Sequence, residues 1–385
     1  MRITSRLLAR AAVRGALTLV PMFAATAPAL AQVRRNEQQR PPSMTIDEYE
    51  PASMLVVKGT SVPRARFPFV DIHGHQNLSM GDGEFAGLVA TMDKINLRTL
   101  VNLSGGSGAG LAAQVANAKK KYPGRFVVFA NVDWSRVNEA NFGANAAAQL
   151  ERDVKEGGAV GLKIFKNLGM DTFWADGTRV RTDDLRLAPI WDKCGELGIP
   201  VLIHTAEPAA FFLPVDKHNE RYLELTQYPG RTRPPDKYPP FDSLIAEQHR
   251  MFKRHAKTTF ISAHLSWLGQ DLGRLGRTLD TIPNMMVEVA AALYEVARAP
   301  KAGRAFFVKY QDRILMGKDS FGDENEFAVY FRIFESGDEY FPWYRRRHAF
   351  WGMYGLELPD DVLKKVYYKN ALRIVPGIDK GAFPT

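Results

Sequence analysis

Pro68-Phe69-Val70-Asp71-Ile72-His73-Gly74-His75 is a short apolar run that ends in a pair of histidines. Side chains of a strand alternate between its faces, so His73 and His75 reach one point beyond the strand's C-terminal end. Imidazole is a neutral nitrogen donor suited to zinc and neighbouring divalent metals. A lone His-x-His is weak ground for a metal site, and its weight depends on the rest of the chain.

Seven further apolar runs follow, at residues 97–103, 126–132, 160–165, 200–204, 259–264, 285–289 and 314–317. Amphipathic stretches separate them, among them 111–121, 144–156, 187–197, 243–255 and 268–282. Strands alternating with helices imply βα units and a parallel sheet, and eight such units are the count of a (β/α)8 TIM barrel in the α/β class. An open doubly wound sheet is the rival. Gly105-Gly106-Ser107-Gly108-Ala109-Gly110 comes nearest to its phosphate-binding fingerprint, but has neither the spacing nor the acidic residue ending the next strand. It reads as a flexible βα loop.

On this frame the chemistry-bearing residues fall at strand ends. His204 closes Val-Leu-Ile-His, His264 closes Phe-Ile-Ser-Ala-His, and Asp319 follows Ile314-Leu315-Met316-Gly317-Lys318. Barrel enzymes draw their catalytic groups from the C-terminal ends of several strands. Any one of these residues has a structural explanation; together, on strands one, five, six and eight, they point to a site. His218, His249, His255 and His348 fall in loops or helices and read as surface or packing residues.

Asp-x-His-x-His on strand one, histidines ending strands five and six, and Gly-x-Asp-Ser ending strand eight resemble the amidohydrolase superfamily. The closing Tyr367-Tyr368-Lys369-Asn370-Ala371-Leu372-Arg373 is similar to the terminal helix of its amidohydrolase-related branch. That branch holds aminocarboxymuconate-semialdehyde decarboxylase, resorcylate-type decarboxylases, lactonases and hydratases. The resemblance runs from about Phe67 to Val375. It implies one divalent metal, zinc in preference to manganese or cobalt, on His73, His75, His204 and Asp319. His264 then stands outside the ligand set as acid or polarising group. Such a metal lowers the pKa of bound water toward ~7, and Asp319 is placed to take its proton.

Lys163 ends strand four. In binuclear members of the superfamily a lysine from that strand is carboxylated and bridges two metals. The preferred reading is an unmodified lysine facing a substrate carboxylate or an inner carboxylate such as Asp71. Asp71 itself is a candidate to fix the strand or a histidine tautomer. Glu207 and Trp267, just beyond His204 and His264, are candidates to line the pocket.

The expected reaction is hydrolysis of an amide, ester or lactone of a small organic substrate. The alternative is non-oxidative decarboxylation of an unsaturated or aromatic acid, for which a cationic clamp on the carboxylate is expected. Least favoured is a barrel that binds metal or solute without turnover.

Residues 1–31 carry Arg2, Arg6, Arg10 and Arg14, then an apolar run closing on Ala29-Leu30-Ala31, the pattern of a cleaved secretory signal. The run is too short for a membrane span and contains Pro21 and Pro28. The mature protein is therefore expected outside the cytoplasm, periplasmic or secreted, with no membrane attachment. Losing the acid-free leader takes the formal charge from +9 to +5, so the basic balance is partly a targeting feature. No basic stripe with interleaved aromatics suggests nucleic acid, and Arg345-Arg346-Arg347 reads as a solvated face. A single cysteine, Cys194, leaves a monomer without a disulfide, so stability rests on packing, the metal and a homo-oligomer if one forms.

Residues 32–66 read as an N-terminal arm, with Met54 to Val57 placed to pack on the barrel, and 67–385 as the metal-dependent domain. Within it, residues 206–241 form a long Pro- and aromatic-rich loop after strand five, a lid or substrate wall. The aromatic tail beyond Glu335 is expected as a C-terminal helical extension closing over the barrel or joining a subunit interface.

Overall fold

The computed structural model describes residues 43–384 apart from 47 and 322. The expected signal sequence and the first part of the arm lie outside the described residues. The chain divides after Ser53. Residues 43–53 contain no helix or strand where described, and every element of the barrel falls within residues 54–384. Among the described residues no helix is long and apolar enough to cross a membrane.

Eight strands form one parallel sheet in the order of the sequence: β1 (Phe69–Gly74), β2 (Leu97–Asn102), β3 (Phe126–Asn131), β4 (Gly161–Ile164), β5 (Val201–Ile203), β6 (Phe260–Ser262), β7 (Met285–Glu288) and β8 (Ile314–Leu315). Most of their residues are buried, as expected of strands covered by side chains within and helices without. Backbone bonds just past the short β8 close the seam to β1: Ile72 N donates to Met316 O at 3.0 Å and Asp319 N to His73 O at 2.8 Å. The Asp71 carboxylate adds a side-chain stitch, its Oδ1 accepting from the backbone N–H of both His73 and Lys318 at 3.0 Å. Asp71 thus fixes the seam that holds two site residues, and meets neither Lys163 nor a histidine ring. The expected TIM barrel is the observed fold.

The helices of the outer ring are α1 (Asp82–Ile95), α2 (Gly108–Lys121), α3 (Phe142–Lys155), α4 (Ala188–Leu197), α5 (Tyr222–Gln227), α6 (Phe241–Arg254), α7 (Leu272–Thr281), α8 (Leu293–Ala297), α9 (Pro300–Lys309) and α10 (Glu324–Glu335). Their apolar stripes face the barrel; α6, for instance, buries Leu244, Ile245, Gln248, Met251 and Phe252. Their ends follow capping chemistry. The Asp271 side chain accepts from Arg274 N at the start of α7, and Gly198 ends α4 in the left-handed conformation. Two helical turns, α11 (Asp360–Lys364) and α12 (Asn370–Ile374), flank a π-helical turn at Lys365–Lys369 and form the C-terminal helical extension.

Three departures from the sequence reading concern the connections. Met54 and Val56 are almost fully exposed, at 91% and 95%, so these two side chains do not pack on the barrel. The tie comes later, where Thr60 Oγ1 donates to Asp338 at 2.7 Å. A second long connection, residues 165–184 after β4, was not anticipated. It carries a bridge between Phe173 and Arg179, and Arg179 forks onto the buried Glu247 of α6. Between Glu335 and Asp360 the aromatic tail is an irregular strap, with Phe341 and Met353 exchanging backbone bonds and Trp343 packed on Tyr294 and Tyr330.

Candidate metal centre

The C-terminal ends of β1, β4, β5, β6, β7 and β8 bring His73, His75, Lys163, His204, His264, Glu288 and Asp319 to one mouth of the barrel. Asp319 Oδ1 stands 3.6 Å from His73 Nε2 and 3.5 Å from His75 Nε2. The donor atoms of these three residues lie within 4.8 Å of one another. Two ligand atoms each ~2.1 Å from one ion at a tetrahedral angle are ~3.4 Å apart, so the spacing suits a shared divalent metal.

The far nitrogens of both rings are anchored. His73 Nδ1 meets Glu288 Oε1 at 2.9 Å, and His75 Nδ1 meets Ser104 Oγ at 2.8 Å. A carboxylate accepts only, so His73 carries its proton on Nδ1 and presents the Nε2 lone pair toward Asp319. The donor set therefore fits a divalent metal in kind, spacing and tautomer.

His204 lies beside this group and outside it. Its Nδ1 is 3.1 Å from His264 Nε2, and its Nε2 is buried without a hydrogen-bond partner, 3.7 Å from Glu207 Oε2. An unpaired buried nitrogen at a mouth lined with metal-type donors is what an added ligand position would use. Glu207 is itself held by Lys166 at 2.5 Å and by Arg233, from the long loop, at 2.9 Å.

His264 is set by the backbone. Its Nδ1 donates to Ala290 O at 2.7 Å, so its Nε2 is the acceptor toward His204 Nδ1 at 3.1 Å, and Trp267 stacks on the ring at 4.5 Å. It does not end a strand as expected. β6 stops at Ser262, and His264, Leu265, Ser266 and Trp267 run left-handed, with φ between 51° and 59°. Ala206, Ala291 and Asp319 also have positive φ. Seven of the eleven non-glycine residues with positive φ, among those described, thus sit just past β5 to β8. L residues resist this region, and such strain gathers at functional sites.

Burial, with Lys163 nearby, pushes His73 well below the usual imidazole range and His75 down to about 4. Burial and the neighbouring His204 take His264 to about 4. The rings are neutral around pH 7, the form that binds metal. Burial would raise Asp319, but the four histidines around it hold it well below the usual carboxylate range. Lys163 Nζ is 3.4 Å from His73 Nε2, inside the cluster, and burial brings it down to about 8 against the pull of Asp319 and Glu288. Lys163 therefore meets the histidine–carboxylate cluster instead of Asp71.

Glu288 is the residue the sequence reading missed. It is fully buried, and besides His73 its Oε1 accepts from His264 N at 2.8 Å, while its Oε2 takes Ala290 N. The available signal was an acid closing the apolar Met285–Val287 run. Lys318 was also passed over. Its buried ammonium donates to Glu326 at 2.6 Å, with the Tyr344 ring centre 4.6 Å away, so the aromatic strap supports the residue before Asp319.

A cavity of about 50 Å³ beside His264 is bounded by Trp267, Arg221, Glu295 and Ala292. A larger one of about 140 Å³, between α2 and α3, is lined by none of the cluster residues.

Comparison with known proteins shows the family and the fold. The family model described as amidohydrolase matches residues 70–377, and the chain belongs to that family. No curated protein matches it. Among solved structures, a 4-oxalomesaconate hydratase from Rhodopseudomonas palustris is 14% identical with a TM-score of 0.50, over 81% of this chain and 97% of that one. A dihydroxybenzoic acid decarboxylase from Polaromonas sp. JS666, solved with bound manganese and the inhibitor 2-nitroresorcinol, is also 14% identical at 0.50, over 80% and 96%. At such identity the likeness is one of fold.

Proposed function

We propose that this member of the amidohydrolase family is an exported, metal-dependent hydrolase acting on an amide, ester or lactone of a small organic substrate. In this reading His73, His75, His204 and Asp319 hold one divalent ion, zinc by preference. The observation that carries it is the convergence of His73 Nε2, His75 Nε2 and Asp319 Oδ1, with the far side of each ring already anchored. An ion so held supplies Lewis acidity to the substrate carbonyl and to water.

The chain's own groups do the rest. Asp319, ionised across the working pH range, takes a proton from the attacking water. Neutral His264, with Ala290 O holding its Nδ1–H, accepts that proton at Nε2 in place of its bond to His204 Nδ1, and passes it to the leaving group. Trp267, stacked on that ring, keeps water from its face.

Decarboxylation is the competing reading, and Lys163 is the residue that would serve it by meeting a substrate carboxylate. Hydrolysis is preferred because the cations near the mouth are already engaged: Lys166 and Arg233 by Glu207, Lys318 by Glu326, and Lys163 by the cluster. The test is metal analysis of the purified mature protein, then a screen of lactones, aryl esters, amides and carboxy-aromatics with and without chelator. Metal-dependent hydrolysis supports the reading; carbon dioxide release from the acids alone reverses the two.

A further inference from the structure

The left-handed run from His264 to Trp267 contains no glycine, and each such residue is disfavoured against a right-handed conformation by the clash of its Cβ with the backbone. A turn of this kind persists only where its surroundings over-determine it. Glu288 and Ala290 hold His264 itself, from the β7 side. On the other side a single side chain spans the turn. Gln248 Nε2 donates to Ser262 Oγ at 3.0 Å, just before it, and to Ser266 Oγ at 3.1 Å, within it. A serine hydroxyl both donates and accepts, so this bridge survives either orientation of the amide.

Gln248 is a poor choice for packing. It lies on the apolar stripe of α6 between Leu244 and Met251, is completely buried, and its Oε1 has no partner. A buried acceptor left without a partner loses its hydration uncompensated, a cost that an aliphatic residue there would avoid. The residue is explained by what it grips.

We propose that Gln248 is a positioning residue whose amide ties Ser262 to Ser266 and thereby holds the left-handed turn that aims His264 at the metal cluster. This rests on the reading that His264 acts at that cluster. Because α6 directly follows the long loop after β5, the clamp also links that loop's anchor to the acid–base residue.

The test compares wild type with Gln248→Met, which keeps length and volume and removes both hydrogen bonds. Hydrogen–deuterium exchange of residues 262–268 is expected to rise on the order of tenfold, with the rest of the barrel and the metal content unchanged. On a substrate found by the screen, kcat is expected to fall at least about tenfold with KM within about twofold. Ser266→Ala, which removes one of the two bonds, is expected to show a smaller change in the same direction and serves if the methionine variant misfolds. Unchanged exchange in 262–268, an equal rise throughout the barrel, or a loosened turn with undiminished kcat overturns the proposal. A wild-type protein that turns over nothing defeats the hydrolase reading instead, and the exchange comparison still decides on the clamp.

Discussion

The carboxylate of Glu288 stands 2.9 Å from His73 Nδ1, so an acid at the end of β7 sets the tautomer of a histidine at the end of β1. The same group holds the backbone of His264, and one buried side chain therefore aligns both halves of the site. Partners of this kind tune metal affinity by ~10–100-fold. Glu288→Gln, which keeps the shape and removes the charge, is expected to weaken metal binding by about that factor in a chelator competition titration. Unchanged affinity would mean that His73 is oriented by something else.

Gly317 is required by the same carboxylate. A Cβ at this position would lie 2.7 Å from Glu288 Oε2 and 3.1 Å from the His73 Cβ, with Glu288 pinned by three hydrogen bonds. Gly317→Ala is expected to cost roughly 1–3 kcal/mol by overpacking and to lower metal affinity as well. Urea denaturation with a parallel metal titration reads both, and a variant with wild-type values would show that the carboxylate has room to move.

These two residues mark where sequence reading stopped. His73, His75, His204, His264 and Asp319 were legible because each ends or follows an apolar run in a regular βα alternation, so position and chemistry coincided. Glu288 was hidden because the Met285–Val289 run reads as one more buried strand, and a single acid in it has no partner visible in sequence. The turn at 264–267 was illegible for a different reason: Ala-His-Leu-Ser-Trp has none of the glycine or asparagine that announces a left-handed backbone, and the conformation is imposed by Glu288, Ala290 and Gln248 from elsewhere in the fold. The tail after Glu335 is an irregular strap where helices are expected, and its grip on Lys318 depends on contacts that sequence spacing does not reveal.

Away from the site, His249 couples stability to pH. Burial, then Arg274 and Lys253, lowers it from 6.5 to about 4. Between these values the unfolded chain binds a proton that the fold excludes. The His249 contribution is therefore full above pH 6.5 and lost as pH falls to about 4, up to roughly 3 kcal/mol. His249→Gln is expected to flatten stability against pH in that window by denaturant titration. An equal slope in both proteins would contradict the assignment.

Lys163 distinguishes a one-metal from a two-metal site. As an unmodified amine beside His73 Nε2 it is expected to leave about one metal per chain, with Lys163→Gln keeping that number while reducing turnover roughly tenfold. Two metals in the wild type, falling to one in the variant, would show a bridging, carboxylated lysine instead.

The metal position can be seen in an anomalous-difference map from a crystal of the metal-loaded protein, recorded at the metal's absorption edge. One peak is expected about 2.0–2.2 Å from His73 Nε2, His75 Nε2 and an Asp319 oxygen, with His204 Nε2 completing the set. No peak at the barrel mouth, or one bound by other residues, would contradict it.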